Sequence, residues 1–195
     1  YLLSLGVDVD TLGKNNITPL HQAVIFNHVD GAKMPLENGA NIKAVDNKGM
    51  TCLHFARSEA MAKFPIKNGA VVKSLATDKS TPLHYASNKE IAMLLIDSEA
   101  NLNVKDADGS TPLHWAASSR PDVAKELITA GSNLNIKDSS GLTPLDNAND
   151  ESRALLLKKG AKMGNQLVML EYDLVNRELI INGVAGETYS IEHSI

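Results

Sequence analysis

The stretch Thr111-Pro112-Leu113-His114-Trp115-Ala116-Ala117 decides the fold, because near copies of its first four residues recur along the chain. A threonine side chain can accept a hydrogen bond from a free N–H group in the first turn of a helix. The proline after it has no N–H that needs a partner, so Thr-Pro is a helix start. The starts lie at successive distances of 33, 30, 30 and 32 residues, at Thr18, Thr51, Thr81, Thr111 and Thr143.

Each start is followed by a residue that can end the second of two helices. Glycine just past a helix takes the left-handed conformation, which other residues adopt only with strain. Glu99 replaces this glycine in the third copy, and the other stops are Gly39, Gly69, Gly131 and Gly160. A stop precedes the next threonine by 12 residues, whereas the distance from threonine to stop varies from 17 to 21. We therefore expect a link of fixed geometry and a helix pair that absorbs the deletions.

A period of 30 to 33 residues with Thr-Pro-Leu-His starts and paired helices resembles the ankyrin-repeat family. The resemblance covers about residues 1–164. It implies an all-α ankyrin-repeat solenoid of antiparallel helix pairs linked by β-turn or hairpin loops, with a non-repeat C-terminal segment. The expected organisation is the end of a truncated repeat at 1–12, five repeats here called the first to fifth units at 13–45, 46–75, 76–105, 106–137 and 138–164, and a last segment at 165–195.

The two ends of the chain depart from the repeat. The N-terminus opens inside a repeat, so we expect that its natural start lies upstream. Near the C-terminus, Asn182-Gly183 between apolar stretches favours a hairpin, whereas Leu167, Leu170, Leu174 and Ile181 also fit one face of a helix. We expect this segment to cap the fifth unit, which is interpreted as a terminating repeat because Asp146 replaces its histidine. Solenoid ends need a closing element. The alternative is the start of another domain.

Two prolines break the pattern of the second helices. Pro35 and Pro65 lie four residues before a stop, where other units have Leu95, Leu127 and Leu156. A proline inside a helix removes one backbone hydrogen bond and costs about 3 kcal/mol. The sequence thus predicts two kinked helices, either as a shaped surface for a partner or through decay in a tolerant array.

Composition restricts the class of partner and the cellular setting. The net charge of −4 gives no electrostatic case for binding nucleic acid or an anionic membrane. No apolar run approaches the ~20 residues that span a bilayer. The single cysteine, Cys52, cannot form an internal disulfide, which favours a reducing compartment. We expect a cytoplasmic protein, in a host cytosol if the chain is a delivered effector.

Four histidines occupy the same place in successive units, namely His21, His54, His84 and His114. The family's stacked helices lie too far apart for these imidazoles to share one zinc ion at ~2.1 Å. We expect each histidine to tie its loop to the neighbouring unit by hydrogen bonds. No phosphate loop, nucleophile with its base, or carboxylate pair is visible. The sequence therefore predicts no enzyme activity, no metal and no cofactor.

Residues that vary in the family at the link tips and at the ends of the first helices imply a protein-binding surface. Carried over position by position, the candidates are Lys14, Asn15, Ile17, Ile25, Phe26, Asn47, Lys48, Met50, Ser58, Glu59, Thr77, Asp78, Ser80, Ala107, Asp108, Ser110, Ser118, Ser119, Ser139, Ser140 and Leu142. Ile17, Ile25, Phe26, Met50 and Leu142 are apolar where the family's geometry exposes side chains. An exposed apolar cluster with a polar rim is typical of interface hot spots.

Phe55, Tyr85 and Trp115 align one residue after the histidine. Packing between helices is the favoured interpretation, and an aromatic ladder for a ligand is the alternative. The chain as a whole is interpreted as a non-catalytic module that binds another protein through its concave groove and link tips. The alternative is the targeting array of a larger effector or toxin whose active part lies elsewhere. The scaffold names neither the partner nor the oligomeric state.

Overall fold

The computed structural model describes residues 8–164 and three short strands beyond them. In this part of the chain, seven α-helices form a solenoid. The helices are α1 (Pro19–Ile25), α2 (Val29–Glu37), α3 (Glu59–Lys67), α4 (Lys89–Asp97), α5 (Pro112–Ser119), α6 (Pro121–Thr129) and α7 (Asp150–Lys158). Helix α3 packs on α4, α4 on α6 and α6 on α7, which makes one row of stacked second helices.

The threonine starts act as the sequence predicts. The hydroxyl of Thr18 accepts a hydrogen bond from the His21 N–H at 3.3 Å, and the Thr18 N–H donates to Nδ1 of the same histidine. The same reciprocal arrangement opens α5, where the Thr111 N–H lies 3.0 Å from Nδ1 of His114. Histidine thus performs the part that glutamate plays in the common capping box.

The stops also adopt the predicted conformation. Gly131 has φ +93°, and Glu99, which replaces glycine, has φ +63°. Lys79 has φ +62° at the link position where Gly109 has φ +76°. The positive φ of the two non-glycine residues shows that the repeat imposes the left-handed conformation even where the residue disfavours it.

The deletions fall entirely in the first helix of a unit. The second helices α2, α3, α4, α6 and α7 all have nine residues. The first helix has seven or eight residues in α1 and α5, but it is a four-residue 3₁₀ helix at Cys52–Phe55 and a single turn at 82–85 and 144–147. We call these five the inner segments. The helix pair thus absorbs the deletions as expected, and its first member is reduced to a 3₁₀ helix in the second unit and to a turn in the third and fifth units.

Packing explains why the inner segment tolerates the loss. Its core leucine lies in the first turn, and Leu53 and Leu83 are 2% and 1% exposed although little more than that turn remains. The second helix buries residues along its whole length, such as Ile91 and Leu95 in α4. A deletion there would remove core side chains.

The prolines do not shorten their helices. Pro35 in α2 and Pro65 in α3 are both buried at the site where Leu95 of α4 is buried. Each helix continues for two residues beyond its proline and ends at the same place as its neighbours. The prolines therefore take the core leucine's place without ending the helix.

The C-terminal segment contains three strands, β1 (Leu170–Asp173), β2 (Glu178–Asn182) and β3 (Thr188–Ser190). They form an antiparallel sheet in the order β1-β2-β3, with Leu170 opposite Ile181. The helical alternative is therefore wrong for these two residues. Leu167, Leu174 and Gly183 lie outside the described residues, as do residues 1–7 of the truncated repeat. The capping role stays a prediction.

Candidate functional site

The tips of the links form one continuous row. The Asn47 N–H donates to the Asn15 carbonyl at 2.9 Å, and the Thr77 N–H donates to the Lys48 carbonyl at 2.7 Å. The pattern continues in the later units, with Ala107 N–H to Asp78 O at 2.7 Å and Ser139 N–H to Asp108 O at 2.8 Å. The predicted tip residues of all five units are thus brought together along one edge.

The links of the second to fifth units are also held by an aspartate side chain of their own. The Asp46 carboxylate accepts hydrogen bonds from the N–H groups of Lys48 and Met50 at 2.8 and 2.9 Å. In the third unit Ala76 stands in place of this aspartate, and Asp78 accepts from the N–H and the hydroxyl of Ser80 instead. A tip held in this way presents its side chains in a fixed geometry.

The histidines tie the units together as the sequence predicts. His21 Nε2 lies 3.1 Å from the Met50 carbonyl oxygen, and His84 Nε2 lies 3.2 Å from that of Ser110. Since Nδ1 accepts the threonine N–H, the proton sits on Nε2, which donates to the next unit. His54 is the exception: its Nε2 atom has no hydrogen bond, although the nearby Ser80 carbonyl acts to raise its pKa.

Burial keeps these imidazoles neutral. It lowers the pKa of His54 to about 4, and it lowers the pKa of His21, His84 and His114 against the opposing effect of the accepting carbonyls. Burial also raises the pKa of the Cys52 thiol to about 12, so this cysteine is not a reactive nucleophile. No cluster of three metal-ligating side chains occurs within the residues that the structure describes.

The three aligned aromatic residues pack between units and also face solvent. The rings of Phe55, Tyr85 and Trp115 are half-buried. The centroids of Tyr85 and Trp115 are 5.1 Å apart at an interplanar angle of 72°, and Trp115 also meets His84 edge-on at 5.5 Å. Edge-to-face pairs of this kind stabilise the contact between units. The favoured packing interpretation is confirmed, and the rings still line the surface described next.

Two adjoining depressions share Tyr85. The larger one has a volume of about 770 Å³ and lies beside the shortened inner segments of the second and third units. Its walls include Phe55, Ala56, Arg57 and the link tips. The smaller one, of about 640 Å³, is lined by Trp115 and the last turn of α5. We call the two together the groove.

The exposure of the predicted contact residues divides them into three groups. Ile17, Ile25, Ser58, Ser110 and Leu142 are half-buried. The expected exposure of Met50 is wrong, because its side chain is only 7% exposed, and Ser80 is also buried, at 0%. Both end a link, where their N–H is bonded to an aspartate, and the side chain is held against the array. The exposed residues are Lys14, Asn15, Phe26, Asn47, Lys48, Glu59, Thr77, Asp78, Ala107, Asp108, Ser118, Ser119, Ser139 and Ser140.

Ser58 and Glu59 do not occupy the predicted position at the end of a first helix. The 3₁₀ helix of their unit ends at Phe55, so the chain has already reached the second helix. The Ser58 hydroxyl caps α3 by accepting the Met61 N–H at 3.3 Å, and Glu59 is the first residue of that helix. The deletion displaced these residues from the groove.

Sequence reasoning missed Arg120. Its Nη1 atom donates to the carbonyl oxygens of His84 and Ala86, at 3.1 and 2.5 Å, across the boundary between the third and fourth units. A signal existed in the sequence: Arg120 holds the N-cap position of α6, where Asn88 caps α4 with its own side chain. An arginine in place of a capping residue indicates another task.

A family model described as ankyrin repeats (3 copies) matches three overlapping parts of the chain, residues 1–75, 58–138 and 101–166. A comparison with curated protein sequences found no matching relative. Among the described helices, none has the length and apolar character needed to cross a membrane.

Proposed function

Because this chain belongs to the ankyrin-repeat family, whose repeats generally mediate contacts between proteins, we propose that it binds another protein through the groove, without catalysis. The observation that carries the proposal is the groove itself, whose half-buried aromatic rings stand beside polar link tips. Aromatic anchors with a polar rim are typical of protein interfaces.

The flank of the groove supports a protein-sized partner. Phe26, at the end of α1, is 76% exposed, and Ser118 and Ser119 are exposed in the last turn of α5. These two longer inner helices stand on either side of the short segments in the second and third units. A partner element that enters between them would contact both flanks and the aromatic rings.

The histidines support a non-catalytic role. Three of the four donate their Nε2 proton to a backbone carbonyl and accept with Nδ1, so both nitrogen atoms have structural partners. The buried Cys52 thiol, without another cysteine to pair with, also supports our proposal of a reducing, cytoplasmic setting.

The experiment is capture of proteins on the immobilised chain, followed by mass spectrometry. We expect the double variant Phe26→Ala with Lys48→Ala to lose the retained protein, since both side chains are exposed beside the groove. The matched control is Leu157→Ala, which removes an exposed apolar side chain from α7 in the row of second helices. Equal loss in the control, or full retention by the double variant, would contradict binding through the groove.

A further inference from the structure

The shortened inner segments leave backbone carbonyl groups that accept no hydrogen bond within a helix. In two units an arginine side chain donates a hydrogen bond to such a carbonyl. In the third unit, Arg120 donates to the carbonyl oxygens of His84 and Ala86. In the fifth unit, Nη2 of Arg153 donates to the carbonyl of Ala148, the residue equivalent to Ala86, at 3.0 Å. Guanidinium groups suit this task because their planar fork presents several N–H donors.

The second unit has the same carbonyl pair without an arginine. Here the equivalent residues are His54 and Ala56, and no described residue donates a hydrogen bond to either carbonyl oxygen. The position equivalent to Arg120 is Asn88, whose side chain instead accepts the Ile91 N–H at 3.0 Å to cap α4. The donor that the other two units supply internally is therefore absent.

We propose that this carbonyl pair binds an arginine side chain of the partner protein, so that the partner completes the second unit as Arg120 completes the third. The inference rests on the proposed function. His54 and Ala56 both line the larger depression of the groove, which is open to solvent. The occupant is thus an arginine on a segment that enters between the inner segments of the second and third units.

The walls of the depression fit a guanidinium group. The rings of Phe55 and Tyr85 line it, and aromatic faces attract a stacked guanidinium. The Asp78 carboxylate also lines it, and hydrogen bonds with Ser80 help to keep that group ionised. Asp78, Lys48 and Arg57 are all exposed, so water and salt screen the attraction of the carboxylate as they screen the repulsion of the two cations. The selectivity for a guanidinium group therefore rests on the carbonyl pair and the aromatic rings.

The test is an NMR titration with N-acetyl-arginine N-methylamide as the probe. We expect saturable shifts confined to the amides of the depression, such as Arg57 and Thr77. The citrulline analogue has nearly the same shape without the charge, and we expect about tenfold weaker binding because charge-assisted hydrogen bonds are the stronger ones. Shifts that are absent, spread evenly over the protein, or equal for both probes would overturn the proposal.

A matched pair of variants at one position sharpens the test. Asn88→Arg supplies the missing guanidinium internally and should abolish binding of the probe. Asn88→Ala removes the same helix cap without adding a donor and should bind the probe as the unchanged chain does. If the two variants bind the probe equally, the carbonyl pair is not its site.

A converse variant opens a second site. Arg120→Ala frees the carbonyls of His84 and Ala86, so probe binding should appear at the smaller depression as well. Protein capture separates this inference from the proposed function. If Asn88→Arg retains the partner while the Phe26 and Lys48 variant loses it, the groove binds a protein but the arginine site is wrong.

Discussion

The Nε2 atom of His84 lies 3.2 Å from the carbonyl oxygen of Ser110 and joins the third unit to the fourth. The other ring nitrogen, Nδ1, accepts the Thr81 N–H at 3.0 Å. One side chain therefore satisfies two backbone groups, one in each unit. Because each unit of a solenoid contacts only its neighbours, ties of this kind help to couple the units into one cooperative structure.

The substitution His84→Ala should destabilise the array by about 2–4 kcal/mol, since it leaves the buried Thr81 N–H and the Ser110 carbonyl unpaired and opens a cavity. Urea unfolding followed by circular dichroism measures the loss. The control is His28→Ala: His28 is exposed, so its removal should change the free energy of unfolding by less than about 0.5 kcal/mol. Equal effects of the two substitutions would contradict the role of His84.

Acidification should weaken the array through its buried histidines. Burial lowers the pKa of the four stacked histidines, that of His54 to about 4, whereas the pKa of histidine in the unfolded chain lies near its ordinary value of 6.5. Between these values the unfolded chain binds more protons, so the free energy of unfolding falls as pH falls. Each histidine contributes up to about 1.4 kcal/mol per pH unit, and above pH 6.5 this dependence vanishes. Urea midpoints at pH 7.5, 6 and 5 test the prediction, which a constant or rising midpoint would contradict.

Asp146 shows how the last unit ends the histidine row. Its Oδ2 atom accepts from the N–H of Thr143 and the N–H of Gly164, both at 2.7 Å. Burial raises the pKa of this carboxyl, but the hydrogen bonds from Gly164 and Thr143 outweigh it and hold the pKa below its usual value. A carboxylate accepts only, which suits a unit whose neighbour is the irregular segment 161–164, with its Gly164 N–H donor, rather than another link carbonyl.

The substitution Asp146→His restores the motif of the other units and should still destabilise by about 1–3 kcal/mol. The imidazole can accept the Thr143 N–H, but the Gly164 N–H then loses its acceptor. Urea unfolding measures the change, and Asp146→Asn, which keeps an acceptor oxygen of similar shape, is the milder comparison. A histidine variant as stable as the unchanged chain would show that the carboxylate is not needed here.

The sequence predicted the start and stop of each unit because both signals are local. Thr18 and Gly39 act through their own hydrogen bonds and dihedral angles, so the conformation at Glu99 followed from its position. The sequence could not predict how the intervening residues are divided between the two helices. The distance from Thr51 to Gly69 fixes only their sum, and packing of the second helix decides where the deletion falls.

The candidate site was predicted where side chains act alone and missed where they act across units. Exposure of Phe26 and Lys48 follows from their place in the repeat. The burial of Met50 depends on the tie between its carbonyl and His21 of the preceding unit. The bonds of Arg120 depend on a deletion in the unit before it, so the arginine at the N-cap indicates another role but does not identify the carbonyl groups it binds.

Two glycines with similar dihedral angles should differ in their tolerance of alanine. Gly109 and Gly131 have φ +76° and +93°, so a side chain is strained at both. A Cβ at Gly109 would lie 2.9 Å from the backbone nitrogen of Ser139 in the next link, whereas none meets an atom within 4 Å at Gly131. Gly131→Ala should cost about 1 kcal/mol and Gly109→Ala about twice that or more. Urea unfolding of both variants measures the two losses of stability. Equal losses would show that the neighbouring link shifts to accommodate the added Cβ at Gly109.

We expect the two prolines inside helices, Pro35 and Pro65, to lower the stability of the array. Leucine in place of Pro65 would give α3 a backbone N–H that can bond to the Met61 carbonyl, and Leu95 at the equivalent site of α4 is fully buried. We expect Pro65→Leu to stabilise by about 1–3 kcal/mol, since proline is the residue least suited to a helix interior. The control is Pro121→Ala at the first position of α6, where no intrahelical bond is at stake and the change should stay near zero. A loss of stability in Pro65→Leu would instead show that the proline shapes the packing of α3 against α4, and would favour selection for that shape over decay.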